Sequence, residues 1–568
     1  MSLPLSSPTR LRDRPWLVAC VVLVFIKLWL VAAQPVVALS LAKHDERLFL
    51  ELAKTISAGD WLGPYSQLTL AKGPMYSLWV AGTVVLGIPL PFAQHLLYLL
   101  GCVLVLRALR PLLPSEPAAA VIFLLLWWNP MTYEMLALGR VLRQNLYTPA
   151  TLGLFAALIA LETRRTAALR IRLAWGILLG VSGVAVWLTR EESVWAVPSA
   201  VLLIAAAAWN SRRDGERLAS FAAPLAVATA CAAAVLTTIC ALNFSYYGWF
   251  GTVEFRAPEF VSAYGALQRV RSSYEIPSVP VTREAREKIY AVSPAFAELR
   301  PHLEGNHGKN WAELSSFVTH LPREKDEIAG GWFVWALRDA VAMAGHAANA
   351  RAALDFYARI ADEVNRACDD GRLAAYPRRD TFLPRWRPEH TSRLLATLPR
   401  AFNYFVTFAG FSAVPPPSGG TAIQLRLFLD LTRWQLSPSP EAPELDRHRE
   451  QDLDHWRIFL LDKIGTALRW VCGAAAYAGL AIWVWLLVRG LRRRYLGYPF
   501  VVATAAFGGA AAVVLINVLV DVTSFPNVSP GAFAEAYPLL LLFTGLVWVE
   551  LWSPRRAPAP SFADRVNG

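Results

Sequence analysis

Asp45 and Glu46 stand a few residues past an apolar run, and Lys72 follows in the same polar stretch, KHDERLFLELAKTISAGDWLGPYSQLTLAKGPMYSLWVA at 43–81. A carboxylate takes up a proton, and an ammonium group stabilises negative charge. Side chains of this kind are expensive inside a bilayer, so a carboxylate and an ammonium held at one membrane surface form a candidate site. Asp45 and Glu46 also fit a plainer role, as interfacial charges capping the helix that follows, and the residues alone leave both readings open. His44 reads as a bystander rather than a metal ligand.

The elements that must position these groups follow from hydropathy. Residues 47–56 carry Leu48, Leu52 and Ile56 at helical spacing, the pattern of an amphipathic helix. A Gly-containing turn comes next, then Lys72-Gly73-Pro74 and a short apolar piece at 75–88 that ends at Pro89 and Pro91. A bilayer's ~30 Å core needs roughly 20 apolar residues in a helix. Ten runs qualify: 16–33, 92–110, 118–137, 145–162, 171–188, 193–209, 218–241, 466–488, 498–520 and 532–552. The composition agrees, with 55% hydrophobic and 17% charged residues in 568 and a mean hydropathy of +0.36, far from the polar surface a soluble chain of this size needs. The 22 tryptophans and 17 tyrosines suit two membrane interfaces.

Basic clusters orient the runs, because cytoplasmic loops are enriched in Lys and Arg. Arg164, Arg165, Arg170 and Arg172 mark one such loop, Arg212, Arg213 and Arg217 a second, and Arg489, Arg492, Arg493 and Arg494 a third. Arg107 and Arg110, the basic N-terminus (Arg10, Arg12, Arg14) and the tail with Arg555 and Arg556 fall on the same side. Only one of the two pieces between 75 and 110 then crosses, and the shorter, 75–88, is expected to lie in the interface or re-enter. The first run reads as a retained span, without a convincing signal cleavage site. The fold expected is an all-α polytopic membrane protein with about ten transmembrane helices, interfacial helices in the first external loop, and a mostly helical extracytoplasmic insert. Its parts are an N-terminal transmembrane module at 1–245 (first external loop 34–91), an extracytoplasmic domain at 246–463, and closing helices with a cytoplasmic tail at 464–568. Both termini are expected inside the inner (plasma) membrane's cytoplasmic face. The net charge of +12 is read as topology signal, not as a nucleic-acid surface. Cys368 alone of the six cysteines lies in the polar insert, so neither a disulfide framework nor a zinc ligand set follows.

The acidic pair after the first span, the helix behind it, AGDWLGPY at 58–65 and Lys72-Gly73-Pro74 before an apolar segment together resemble the C-type glycosyltransferase superfamily. The branch is that of the protein O-mannosyltransferases and lipid A aminoarabinose transferases. The resemblance covers about residues 15–245 and the closing spans, not the insert, and Gly73 stands where the family element usually carries proline. It implies an integral membrane enzyme that moves a sugar from a polyprenyl-phosphate donor to an extracytoplasmic acceptor (a glycan, lipid or protein), with inversion. It implies Asp45 as the base, with Glu46 as a neighbour sharing the role, and Lys72 as a phosphate-binding cation. Arg140, Arg143 and Arg190 are further donor-phosphate candidates, since a guanidinium fork suits phosphate; Arg140 and Arg143 equally suit headgroup anchoring. Glu191 and Glu192 either pair with these arginines or touch substrate, and Tyr65 is a further candidate contact. No cofactor beyond the lipid-linked sugar is called for; a divalent ion is open, because some members use one and others do not.

A membrane transporter or lipid flippase is the competing class. Such proteins carry internal repeats and broken, polar midplane helices, whereas these runs hold few midplane polar residues, Lys27 and Asn517 among them. A catalytically idle scaffold is a third reading. No Walker loop, HExxH or GxSxG is present, so an ATP-driven pump or serine hydrolase is unsupported. Asn243-Phe244-Ser245 and Asn527-Val528-Ser529 match the short glycosylation pattern.

Overall fold

The computed structural model describes residues 15–190, 192–215, 219–321, 326–445, 454–494 and 496–552. Arg10, Arg12, Arg14, Glu191, Arg217, Arg323, Arg555 and Arg556 lie outside them. Every regular element is helical; pairing between extended segments is limited, among the described residues, to isolated bridges. The membrane part begins with α1 (Pro15–Val31), α2 (Glu46–Ser57), α3 (Met75–Leu86), α4 (Leu90–Leu109), α5 (Glu116–Trp127), α6 (Gln144–Thr163), α7 (Leu169–Thr189), α8 (Ala196–Arg213) and α9 (Ala219–Tyr247). The insert holds α10 (Pro258–Leu267), α11 (Arg283–Tyr290), α12 (Pro294–Ala297), α13 (Arg300–Leu303), α14 (Asn306–Thr319), α15 (Gly330–Met343), α16 (Ala350–Asp369), α17 (Pro388–Val406) and α18 (Ala422–Thr432). The chain closes with α19 (His455–Arg493), α20 (Tyr498–Thr523) and α21 (Ala536–Trp552).

Seven of these are long and apolar enough to cross a membrane: α4, α6, α7, α8, α9, α19 and α20. The shorter α1 and α21 occupy two more of the expected spans, and α5, at 12 residues, only part of a third. At 12 residues and 1.5 Å rise, α3 is about 18 Å long, too short to cross, as the sequence implies. One expected span needs correction. The run at 118–137 is not one helix: α5 stops at Trp127, and a 3₁₀ turn, Pro130–Tyr133, follows, capped by the Asn129 side chain. Pro130 has no N–H to continue the ladder, so 134–137 is loop.

Packing separates a protein-facing interior from a lipid-facing rim. α6 and α21 are buried on nearly every side, whereas α1, α9 and α19 expose large apolar side chains such as Phe25, Trp29, Phe244, Trp470 and Trp485, the surface expected to face acyl chains. Gly176 and Gly180 let α7 meet α9 closely; a Cβ at either position would come within 2.4 Å of a backbone oxygen, of Pro224 or Ala228, the small-residue contact common between membrane helices. α6, α7 and α8 share one polarity of arrangement. One end of each lies by Arg143, Arg190 and Glu192, and the other by the basic loops, where Arg164 donates to the Arg107 carbonyl at 2.6 Å and Arg165 pairs with Asp214.

The insert has its own apolar core, built chiefly from α10, α15 and α16. In α16, Leu354, Tyr357, Ile360, Ala361 and Val364 are buried at i, i+3, i+4 spacing. The insert also reaches the bundle. On α17, the Phe402 ring stands 6.4 Å from Phe507, the Phe405 ring 5.1 Å from Tyr537, and Asn403 accepts from the Tyr477 hydroxyl at 2.8 Å. A second tie is a buried network. Arg338 donates to Glu254 at 2.5 Å and to the carbonyls of Gln67 and Thr69, while the Tyr65 hydroxyl donates to Glu254 at 2.7 Å. Asn243, of the first glycosylation match, is likewise buried, bridging Trp61 and the Gly251 carbonyl.

Arg338 and Glu254 are almost completely buried, so removing one strands the other. Arg338→Met is expected to cost about 3–5 kcal/mol, and the double change Arg338→Met/Glu254→Leu markedly less. Thermal unfolding in detergent measures both.

Candidate functional site

The chain leaves α1 as an extended segment, 36–40, held from two directions. Val36 N–H donates to the Gln435 carbonyl and the Val36 carbonyl accepts from Ser437 N–H, while Gly419 N–H donates to Ala38 and Ser40 N–H to Gly419. Val37 N–H donates to Gly139, which brings Arg140 alongside. A turn then delivers Asp45 at the start of α2, whose buried Leu48, Phe49 and Leu52 press the helix against the bundle.

The capping role for Asp45 is not realised. Its side chain makes no capping bond to α2 and instead forms an ion pair with Lys72. Lys72 reaches it because the following residue is glycine: a Cβ on Gly73 would lie 1.8 Å from the Leu188 carbonyl oxygen at the end of α7. Any side chain at 73, alanine or proline included, is excluded there. Phe49 and Trp335 flank the Lys72 ammonium, with ring centres at 5.3 and 5.7 Å.

The two adjacent carboxyls differ sharply. The Asp45 side chain is half exposed, while that of Glu46 is fully buried. Burial works against charge on Asp45, but Lys72, with Arg143 and Arg140 beyond it, holds the carboxyl down at about 2. Glu46 accepts from Leu39 N–H at 2.6 Å and pairs with Arg140, yet burial still pushes it up to about 7. Asp45 is therefore ionised and accessible, and Glu46 is anchored.

Arg143 donates to the Thr189 carbonyl at 3.0 Å and acts electrostatically on both Asp45 and Glu192. Arg190 pairs with Glu192 and with Glu535, each at 3.4 Å. Burial opposes charge on Glu192 as well, and Arg190 and Arg143 overcome it, leaving it at about 2. Asp45, Glu46, Lys72, Arg140 and Arg143 are thus brought together, with Arg190 and Glu192 next to them. Tyr65 is placed elsewhere, in the Glu254–Arg338 network, and Glu191 lies outside the described residues. His44 is packed between Trp311 and Trp335, with ring centres at 5.1 and 4.4 Å, and burial lowers it to about 4. It is neutral at physiological pH.

No protein-family model matches the chain, and no curated protein sequence does. Two solved structures are similar. They are of ArnT from Cupriavidus metallidurans, apo and bound to undecaprenyl phosphate; each is 14% identical, with 95% and 94% of this chain and 78% of the other aligned, at TM-scores of 0.33 and 0.31. At that level the likeness says nothing of chemistry.

Glu535 and Trp335 were not singled out from sequence. Glu535 lies inside the 532–552 run, where a charged residue is costly; Trp335 comes from the insert and carries no such signal.

Because Glu46 titrates near 7 when folded and near 4.5 when unfolded, its contribution to stability is fully present below about pH 4.5 and is lost as pH rises through 7. The thermal midpoint is expected to climb by a few degrees between pH 8 and pH 5, and Glu46→Gln to flatten part of that slope; a pH series of melting curves on both proteins checks it.

Proposed function

We propose that this protein is a membrane glycosyltransferase that takes a sugar from a polyprenyl-phosphate carrier and passes it to an acceptor on the outer face of the membrane. The observation that carries the reading is the half-exposed Asp45 carboxylate paired with Lys72 and ringed by Arg140 and Arg143: a proton acceptor beside a set of phosphate-binding cations. On this reading the basic loops at the far end of α6, α7 and α8 face the cytoplasm, so the insert and the site lie outside.

In the reaction, an acceptor hydroxyl or amine attacks the anomeric carbon from the face opposite the lipid phosphate. The new bond forms as the C1–O–phosphate bond breaks. The electron pair leaves with the phosphate, whose charge Lys72 and the arginines stabilise, and the acceptor proton goes to Asp45. A single displacement of this kind inverts the anomeric centre. An acid held at about 2 is a feeble base, and the chemistry accommodates that in two ways. A lipid phosphate is a good leaving group, so the acceptor proton becomes acidic late, once bond breaking is advanced. An incoming phosphate also competes for Lys72, and loosening the Lys72–Asp45 pair raises the carboxyl's proton affinity. The base is strengthened by the donor it serves.

Asp45→Asn removes the proton acceptor and retains its size. Transfer from a lipid-phosphate sugar is expected to fall about 10²–10⁴-fold, with donor binding retained, measured by mass spectrometry of the lipid-linked sugars in membranes or in a reconstituted assay. Undiminished transfer by Asp45→Asn would remove the proposal.

A further inference from the structure

Arg140, which pairs with Glu46, also lines a cleft beside the site. The site-side ends of α1, α4 and α6 and the 130–141 loop form its walls. Three glutamines line it, and each is oriented the same way. Gln34 donates its amide N–H groups to the carbonyls of Tyr133 and Ala413, Gln94 donates to the Tyr76 hydroxyl at 3.1 Å, and Gln144 donates to the Gly531 carbonyl at 3.2 Å. Among the described residues none of the three amide oxygens has a hydrogen-bond partner, and the His95 ring beside them makes no hydrogen bond. The cleft's one carboxylate, Glu134, is already occupied, accepting from the N–H groups of Leu136, Ala137 and Leu138.

With their donors engaged inward, these glutamines present neutral acceptors to the cleft. Away from Arg140 and the buried, unpartnered Tyr133 hydroxyl, which also line the cleft, such a wall serves a phosphate poorly, since an anion needs donors, and serves hydroxyl groups well, since each has a proton to give. We infer that the cleft holds the sugar of the lipid-phosphate donor, with Gln94 and Gln144 accepting from its hydroxyls while the phosphate lies across Arg140 at Lys72. The inference rests on the transferase reading above and assigns it a sugar-recognition site. Apolar Val31, Leu90 and Met131, also in the wall, supply contact for the C–H groups of a pyranose ring. Acceptors without a partner in the protein discriminate between sugars, because a sugar lacking the matching hydroxyl leaves them without one.

The test uses the full chain in lipid nanodiscs. Its probes are undecaprenyl phosphate and the same carrier bearing glucose, galactose or N-acetylglucosamine. Wild type is expected to bind at least one sugar-bearing lipid more tightly than the bare carrier. Gln94→Leu/Gln144→Leu is expected to weaken that lipid about ten- to a hundredfold and leave the bare carrier within twofold. Gln94→Asn/Gln144→Asn, which keeps an amide with both its acceptor and its donor, is expected to retain more of the preference than the leucine pair, separating recognition from packing. Equal loss for both lipids in the leucine variant, or no wild-type preference for any sugar-bearing lipid, overturns the inference. Lys72→Ala is expected to weaken all four lipids alike. If it weakens none, the lipid-phosphate reading itself fails, whatever the glutamines do.

Discussion

The ion pair between Asp45 and Lys72 joins positions 27 residues apart and closes the loop between α1 and α3 on itself. Neither charge can be buried in acyl chains or left to the low-dielectric interior alone, so each fixes the other at the rim of the bundle. The loop's architecture follows from that constraint. α2 lies with its apolar face on the bundle, the 66–74 turn brings Lys72 back, and α3 starts as soon as the lysine is placed. Around this pair stand Arg140, Arg143 and Arg190 against Glu46, Glu192 and Glu535. With burial pushing Glu46 towards its neutral form, the balance tips towards cations, and the rim attracts an anion.

Neighbouring carboxyls with opposite environments divide the labour. Glu46 fixes geometry: through Leu39 and Arg140 it binds the extended segment to the loop that precedes α6. Asp45, one residue earlier, is left facing solvent with a cation that a ligand can claim. Two acids in one setting would compete for the same proton. Split between core and surface, one acts as scaffold and the other stays available.

Much of the frame was legible in the sequence because it depends on length and hydropathy. Ten apolar runs have helical counterparts, and the 75–88 piece is too short to cross, as its length alone requires. The failure at 118–137 came from reading hydropathy through Asn129-Pro130, where backbone chemistry ends the helix whatever the polarity of the side chains. α17 was hidden for the opposite reason. Its Phe402 and Phe405 pack into the bundle, but Arg393 and Arg400 on the exposed face dilute the apolar signal. Within the site, the residues of the first loop were visible because charge beside an apolar run is unusual. The cleft was not, because its glutamines matter through the direction their amides face, and that is set by carbonyls of Tyr133, Ala413 and Gly531, distant in the chain.

The insert's contribution is concentrated on one helix. On α15, Trp335, Arg338 and Asp339 follow i, i+3, i+4 spacing and so share a face. Trp335 covers the Lys72 ammonium and packs on His44, Arg338 grips the carbonyls of Gln67 and Thr69, and Asp339 bonds to His307 and Trp311. That one face therefore touches the first loop on both sides of the catalytic candidates and excludes water from the lysine while leaving Asp45 open. Any movement of α15 relative to the bundle changes the dielectric around Lys72, and with it the strength of the Asp45 pair. The insert is coupled to the site by electrostatics as well as by contact, so the polar half of the chain and the membrane half form a single chemical unit.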